Sequence, residues 1–458
     1  MTPIKNLLLA TLCISMPTVF LANGTNSIIE NPESPAIKTN SLQTSKKEKS
    51  QLFSFGTASK SKKENPINTT LVYNSSTGYG FDWDTNANVK INSNNFSIVK
   101  PTYFSVKVPE GNYQIEVTMG SKETASNVTI KAESRRLMVN QLSIQKGQTI
   151  TKIFNVNIRT PKIDSNTSIS LKDREKEIFN WDDKLTLEFL GEVAIQSIKI
   201  TKKDNLTVVY LAGDSTVTDQ DVEPWASWGQ AITNYFNNEV VVANYAYSGS
   251  SLGSFKGTNR LKKILSEIKK GDYLFVEFGH NDEKVKGEGN GAWGLYSNLL
   301  TEFVQAAKEK GAIPVLVTPT QRRSFDENGI LKETHGEFPD AMRAVAKKNN
   351  IVLIDVTKMT TQMYQAWGSE ATKKALVHYP LNTFPGQVKV LEDNTHFNMF
   401  GAHEVALCVI TGIRELDIPL KKQISKETPQ YDPTKPNSFS NWTLPMSTRF
   451  EIVKPDGN

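Results

Sequence analysis

A chain of 458 residues, 38% hydrophobic and 22% charged, has material for about two or three globular domains. Its 53 Lys and Arg against 48 Asp and Glu leave a formal charge of +5 with no long basic block, which argues against nucleic acid as a partner. Two cysteines in such a length exclude a disulfide-built scaffold.

Residues 1–22 read as an export signal. Lys5 precedes the apolar run LLLATLCISMPTVFLA, too short at its flanks for a permanent membrane span, and Ala22 is the expected cleavage residue. Phe20 stands where a small residue is favoured, so the cut site is open. Lipidation of Cys13 is the alternative, disfavoured by Leu12 ahead of it. Cleavage leaves Cys408 as the one cysteine, without an intrachain partner, and a periplasmic or secreted location follows. Residues 23–50, rich in Asn, Ser, Thr, Lys and Pro, read as a linker.

From 51 to 205 apolar residues alternate with polar ones. In FSVKVPEGNYQIEVTM, Phe104, Val106 and Val108 share one face, and Tyr113, Ile115 and Val117 share another after the turn Pro109–Asn112. That pattern predicts a hairpin of half-buried strands. KLTLEFLG and VAIQSIKITK continue it, and the segment reads as an all-β sandwich.

From 206 to 425 short apolar strands alternate with helices. The strands are expected at 208–212, 240–246, 273–278, 313–318 and 351–356. A helix in RLKKILSEIKKG carries the stripe Leu261, Ile264, Leu265 and Ile268 up to Gly271, and another, NLLTEFVQAAKEKG, stops at Gly311. Apolar strands with helical crossovers mean a parallel sheet covered on both faces, an α/β fold. The tail, 426–458, is expected to pack along the surface of this domain.

Sites in open parallel sheets form outside the carboxyl ends of the strands. There the chain places Gly213-Asp214-Ser215, then YSGSSLGSF, then Gly279-His280-Asn281-Asp282, then TPTQRRSF; Asp393 and His396 precede the last apolar helix. A serine hydroxyl needs a base, and the base an orienting carboxylate. Asp393 and His396, three residues apart at a turn or helix start, present both groups on one side. Backbone N–H groups of Ser215 and Gly249 with the Asn281 amide are candidate donors to a developing oxyanion. GSSLG, Gly249–Gly253, offers Ser251 as a rival nucleophile of the G-x-S-x-G type. Against it, the acid and the histidine lie three residues apart, not on separate loops. Arg322 and Arg323 beyond the fourth strand are candidate contacts to a uronate carboxylate, and Trp228 or Trp225 to a sugar ring; surface and core roles are the plain alternatives. The five histidines and one mature cysteine show no metal-ligand spacing.

Gly213-Asp214-Ser215, Gly249, Gly279-x-Asn281-Asp282 and Asp393-x-x-His396 resemble, in order and rough spacing, the four blocks of the SGNH (GDSL-type) hydrolases. GDSTVTDQ, PWASWGQ, FGHND, TPTQRRSF and NTHFNMFGA resemble the rhamnogalacturonan acetylesterase branch. VPEGNYQIEVTMG, ESRRLMV and WDDKLTLEF resemble the galactose-binding-like β-sandwich ahead of bacterial members' catalytic domains. The resemblance implies a flavodoxin-like three-layer catalytic domain and a serine esterase that needs no cofactor. Its substrate would be an acetylated pectic polysaccharide or oligosaccharide. Ser215 is then nucleophile, His396 base and Asp393 its orienter, with Ser215, Gly249 and Asn281 as the oxyanion hole. Ser250 departs from the arginine common after the second-block glycine. Deacetylation of another glycan, or sugar binding by the sandwich beside an idle hydrolase domain, are the alternatives.

Overall fold

Apolar alternation in the first half of the chain builds two facing sheets. In the computed structural model, which describes residues 50–58 and 65–456, one sheet runs Ile150–Ile158, Gly111–Met119, Ile195–Lys202, Ser50–Phe55, Asn65–Ile67. The other runs Tyr79–Asp82, Thr102–Lys107, Lys184–Glu192, Ser126–Ala132, Arg136–Ile144. The expected export signal and nearly all of the linker lie outside the described residues. Phe53, Phe55, Phe81, Phe96, Phe104 and Phe189 fill the space between the sheets in edge-to-face pairs, such as Phe55–Phe96 at 4.7 Å and Phe96–Phe189 at 5.4 Å.

One expectation is corrected here. Thr102–Lys107 and Gly111–Met119 do not pair as a hairpin. The first bonds to Lys184–Glu192 and Tyr79–Asp82, the second to Ile150–Ile158 and Ile195–Lys202 in the opposite sheet. Two strands that face one core from opposite sides carry the same alternation as two neighbours in one sheet. Alternation sets which side chains go inward and leaves the partner strand undetermined.

The second half forms a five-stranded parallel sheet from β1 (Thr207–Gly213), β2 (Val240–Asn244), β3 (Tyr273–Glu277), β4 (Ile313–Val317) and β5 (Val352–Ile354). Its spatial order, 2-1-3-4-5, is the flavodoxin-like one, with the switch point between β1 and β3. Successive residues of each strand feed opposite cores. Val209, Leu211, Phe275 and Val315 meet α1 (Trp228–Ala231), α6 (Val356–Thr372) and α7 (Met399–Glu415). Tyr210, Ala212, Leu274 and Leu316 meet α2 (Leu252–Gly257), α3 (Arg260–Glu267), α4 (Ser297–Glu309) and α5 (Phe338–Asn349). A small antiparallel pair, β6 (Leu376–Tyr379) and β7 (Leu391–Phe397), leads into α7. Helix α3 stops at Glu267, with Ile268 already extended, so Gly271 serves the turn before β3 and not the helix end.

Sandwich and α/β part share their cores. Leu137 belongs to the apolar cluster on one side of the parallel sheet, and Ile169 and Trp181 to the cluster on the other. The described residues, 50–58 and 65–456, belong to one compact unit.

Candidate active site

Strand β1 ends at Gly213, where a side chain has no room: a Cβ would lie 2.5 Å from Val217 Cγ2. The chain then turns tightly, with the Asp214 carbonyl accepting from Val217 N and Thr218 N, and Ser215 is left at the sheet's carboxyl edge, 2% exposed. Gln220 Nε2 donates to the Ser215 carbonyl at 2.8 Å.

His396 Nε2 lies 2.9 Å from Ser215 Oγ, and His396 Nδ1 lies 2.8 Å from Asp393 Oδ2. An ionised carboxylate only accepts, so Nδ1 carries the ring hydrogen and Nε2 accepts from the serine. Asp393 and His396 belong to β7, not to a helix start. The strand curls there because Asp393 Oδ1 accepts from Thr395 N and His396 N, at 2.8 and 2.9 Å. These bonds, with the imidazole, hold the Asp393 carboxyl well below the usual carboxylate range despite its burial. Trp225 packs edge-on against the imidazole, ring centroids 5.7 Å apart.

Gly249 adopts φ 78°, a left-handed conformation that a side chain would strain. Asn281, 7% exposed, donates from Nδ2 to the Ser250 carbonyl at 3.1 Å and accepts at Oδ1 from Lys284 Nζ at 3.3 Å. Its amide is thereby oriented, with a second N–H to give. Ser250 itself is buried.

Of the three expected substrate contacts, Trp228 is corrected. It is fully buried in the core beneath the sheet, and its Nε1 donates to Glu277. A short helix at 228–231 turns the ring inward, and sequence alone does not give that direction. Arg322 is neutralised by Glu283 and touches His335 Nδ1 and the His280 carbonyl. Arg323 bonds the Ser369 carbonyl and Asn394 Oδ1, next to Asp393. Ser251, the rival nucleophile, accepts from Ser254 N at the start of α2. His403 bonds the Tyr235 hydroxyl at 2.6 Å, and His378 reaches Asn394 Oδ1 at 3.0 Å.

Several neighbours of the site were not anticipated from sequence. Glu277 closes β3, wholly buried, in an apolar run; one acid at the carboxyl end of a buried strand is the signal that marks it. Lys454 of the tail brings Nζ within 3.3 Å of Asp393 Oδ2, and no local pattern announces that contact. Arg135 of the sandwich donates to the carbonyls of Gln220, Val222 and Trp225 and pairs with Glu223. Arg136 and Arg159 converge on Asp219. The segment after the serine is therefore held from the sandwich side.

Residues 211–399 match the GDSL-like lipase/acylhydrolase family. Over 218 residues the chain is 45% identical to rhamnogalacturonan acetylesterase RhgT of Bacillus subtilis (strain 168), across 47% of this chain and 93% of that protein. The chain belongs to this family of GDSL-like hydrolases. This GDSL-like hydrolase is also 35% identical over 222 residues to the probable rhamnogalacturonan acetylesterase YesY of the same organism, across 48% of its own length and 98% of that protein. A solved structure, YxiM from Bacillus subtilis, aligns over 81% of this chain and 99% of that one at 22% identity and a TM-score of 0.44. The hydrolase is a carboxylic ester hydrolase.

Proposed function

We propose that this hydrolase removes O-acetyl groups from pectic rhamnogalacturonan outside the cytoplasm, in the periplasm or as a secreted enzyme. The observation that carries the reading is the unbroken line Ser215–His396–Asp393, at 2.9 and 2.8 Å. Ser215 Oγ attacks the acetyl carbonyl while His396 Nε2 takes its proton. The oxyanion is met by the N–H groups of Ser215 and Gly249 and by Asn281 Nδ2. His396 then returns the proton to the departing sugar oxygen, and acetyl-Ser215 remains. Water, deprotonated by the same Nε2, hydrolyses it to acetate. Asp393 stays ionised throughout and stabilises the imidazolium.

Two exposed ammonium groups flank this line, Lys454 at Asp393 and Lys284 at Asn281, and they suit a polymer that carries uronate charges. The names of the two similar Bacillus proteins support the same substrate. The apolar leader at 1–22 supports export.

The test is acetate release from acetylated rhamnogalacturonan by wild type, Ser215→Ala and Ser251→Ala, each confirmed folded by circular dichroism. Ser215→Ala should lose at least about a thousandfold in kcat on this substrate and on 4-nitrophenyl acetate alike, while Ser251→Ala keeps most of its activity on 4-nitrophenyl acetate. Loss in Ser251→Ala with Ser215→Ala active would move the nucleophile and end the proposal. A wild type that hydrolyses 4-nitrophenyl acetate and releases acetate only from another glycan would keep the chemistry and change the substrate.

A further inference from the structure

The GSSLG stretch, unused by the serine line, forms one wall of a pocket. Ser251 and Ser254 bond each other, Ser251 N donating to Ser254 Oγ at 2.9 Å and Ser254 N to Ser251 Oγ at 3.2 Å. With Gly253 they face Val285, Leu295, Tyr296 and Leu299 across a volume of about 220 Å³. That volume equals roughly seven waters of liquid at about 30 Å³ each, room for one pyranose ring.

Asp282 also lines the pocket and is 6% exposed. Its Oδ1 accepts from Leu252 N at 2.9 Å, and its Oδ2 is buried without a hydrogen-bond partner among the described residues. A buried carboxyl oxygen with no partner is costly unless something arrives to bond it. Burial, with Asp214 nearby, pushes this carboxyl up to about 7. The pocket adjoins the ester site directly. Asn281 Nδ2 is bonded to the Ser250 carbonyl, and Asp282 and Ser251 are the next residues of the two strands of chain. Exposed Val285, Trp293 and Leu295 lay apolar surface along the same loop.

We propose that this pocket is a subsite for one neutral sugar of the glycan, next to the acetylated residue. Asp282, Ser251 and Ser254 bond its hydroxyls, and the Val285–Leu295–Leu299 wall takes an apolar edge such as the methyl group of a 6-deoxyhexose. The assignment rests on the glycan reading above. A uronate would set a second carboxylate against Asp282.

The test uses Gly253→Leu and Asp282→Asn. At Gly253, in α2, a Cβ would meet nothing nearer than Leu299 Cδ1 at 3.8 Å, so the backbone accepts a side chain that then fills the pocket. Asp282→Asn retains an oxygen for Leu252 N. For each variant, kcat/KM on acetylated rhamnogalacturonan oligosaccharide is divided by kcat/KM on 4-nitrophenyl acetate, which has no sugar to place. The ratio should fall at least tenfold in Gly253→Leu, through KM, and severalfold in Asp282→Asn. An unchanged ratio in both variants would overturn the proposal. So would a selective loss on 4-nitrophenyl butyrate, which would make the pocket an acyl site. A wild type inactive on rhamnogalacturonan would fail the substrate reading and not this one. Saturation-transfer NMR with methyl α-L-rhamnoside then decides: contact in wild type that Gly253→Leu abolishes supports the subsite, and no contact in wild type refutes it.

Discussion

Thr216 Oγ1 stands 2.9 Å from both Asp214 Oδ1 and Glu277 Oε1, directly behind the Ser215 turn. One hydroxyl hydrogen serves only one of two carboxylates, so a proton on Glu277 completes the line, with Trp228 donating to its other oxygen. Burial, reinforced by Asp214, pushes the Glu277 carboxyl up to about 8. Between its ordinary value near 4.5 and about 8, the unfolded chain ionises this group while the folded one keeps it neutral. Stability therefore falls as pH rises through that window and levels off above it. Glu277→Gln imitates the protonated form. We expect its melting temperature to exceed that of wild type at pH 8 and to match it near pH 4.5; equal curves at both pH values would show that the proton is absent. Ser215, Asp393 and His396 were legible because each sits in a short motif at a strand end. Glu277 was not, because in sequence it looks like one more position of a strand, and its partners come from 61 and 49 residues away.

The turn between Ser126–Ala132 and Arg136–Ile144 reaches out of the sandwich and holds the segment 219–225. Arg135, in a left-handed conformation at φ 63°, is 1% exposed. It satisfies three backbone carbonyls and, with Lys131, the buried Glu223. Removing one partner of such a buried pair costs about 3–5 kcal/mol, because the other charge stays uncompensated. Arg135→Met should lose about that much in urea unfolding, and adding Glu223→Gln should cost clearly less than the sum of the two single changes. Additive losses would mean that the pair is not coupled. The same elements show where alternation misleads. Lys131, Thr186 and Glu188 occupy positions that alternation assigns to solvent, yet all three are buried. Ser447 of the tail donates to Glu188 at 2.8 Å and accepts from Lys131 at 2.8 Å, and the outer face of that sheet is an interface. A period of two reports that a face is polar, and says nothing of what covers it.

Sandwich, parallel sheet and tail are tied by buried charges as well as by shared cores. Arg260, the first residue of α3, pairs with Glu175 at 2.6 Å, and Lys263 with Glu110 at 2.7 Å. The tail brings Arg449 to Asp221 and stacks Phe450 on Phe384 with ring centroids 4.3 Å apart. Opening this interface would expose Leu137, Ile169 and Trp181 and strand Asp219 and Glu223. We therefore expect one calorimetric unfolding transition for the whole chain, whereas two well-separated transitions would show that the parts melt independently. By itself the sequence determined the fold class of both halves, the strand ends that face the site, and the three side chains of the hydrogen-bonded line. All of these follow from periodicity and short motifs, which are local. Only the tertiary structure decided which strands pair across the sandwich, that Trp225 and Trp228 are both buried, and that Arg135 of the sandwich and Lys454 of the tail come to the site. Those depend on contacts between residues far apart in sequence, made where one element covers another, and no local pattern records what will cover a face.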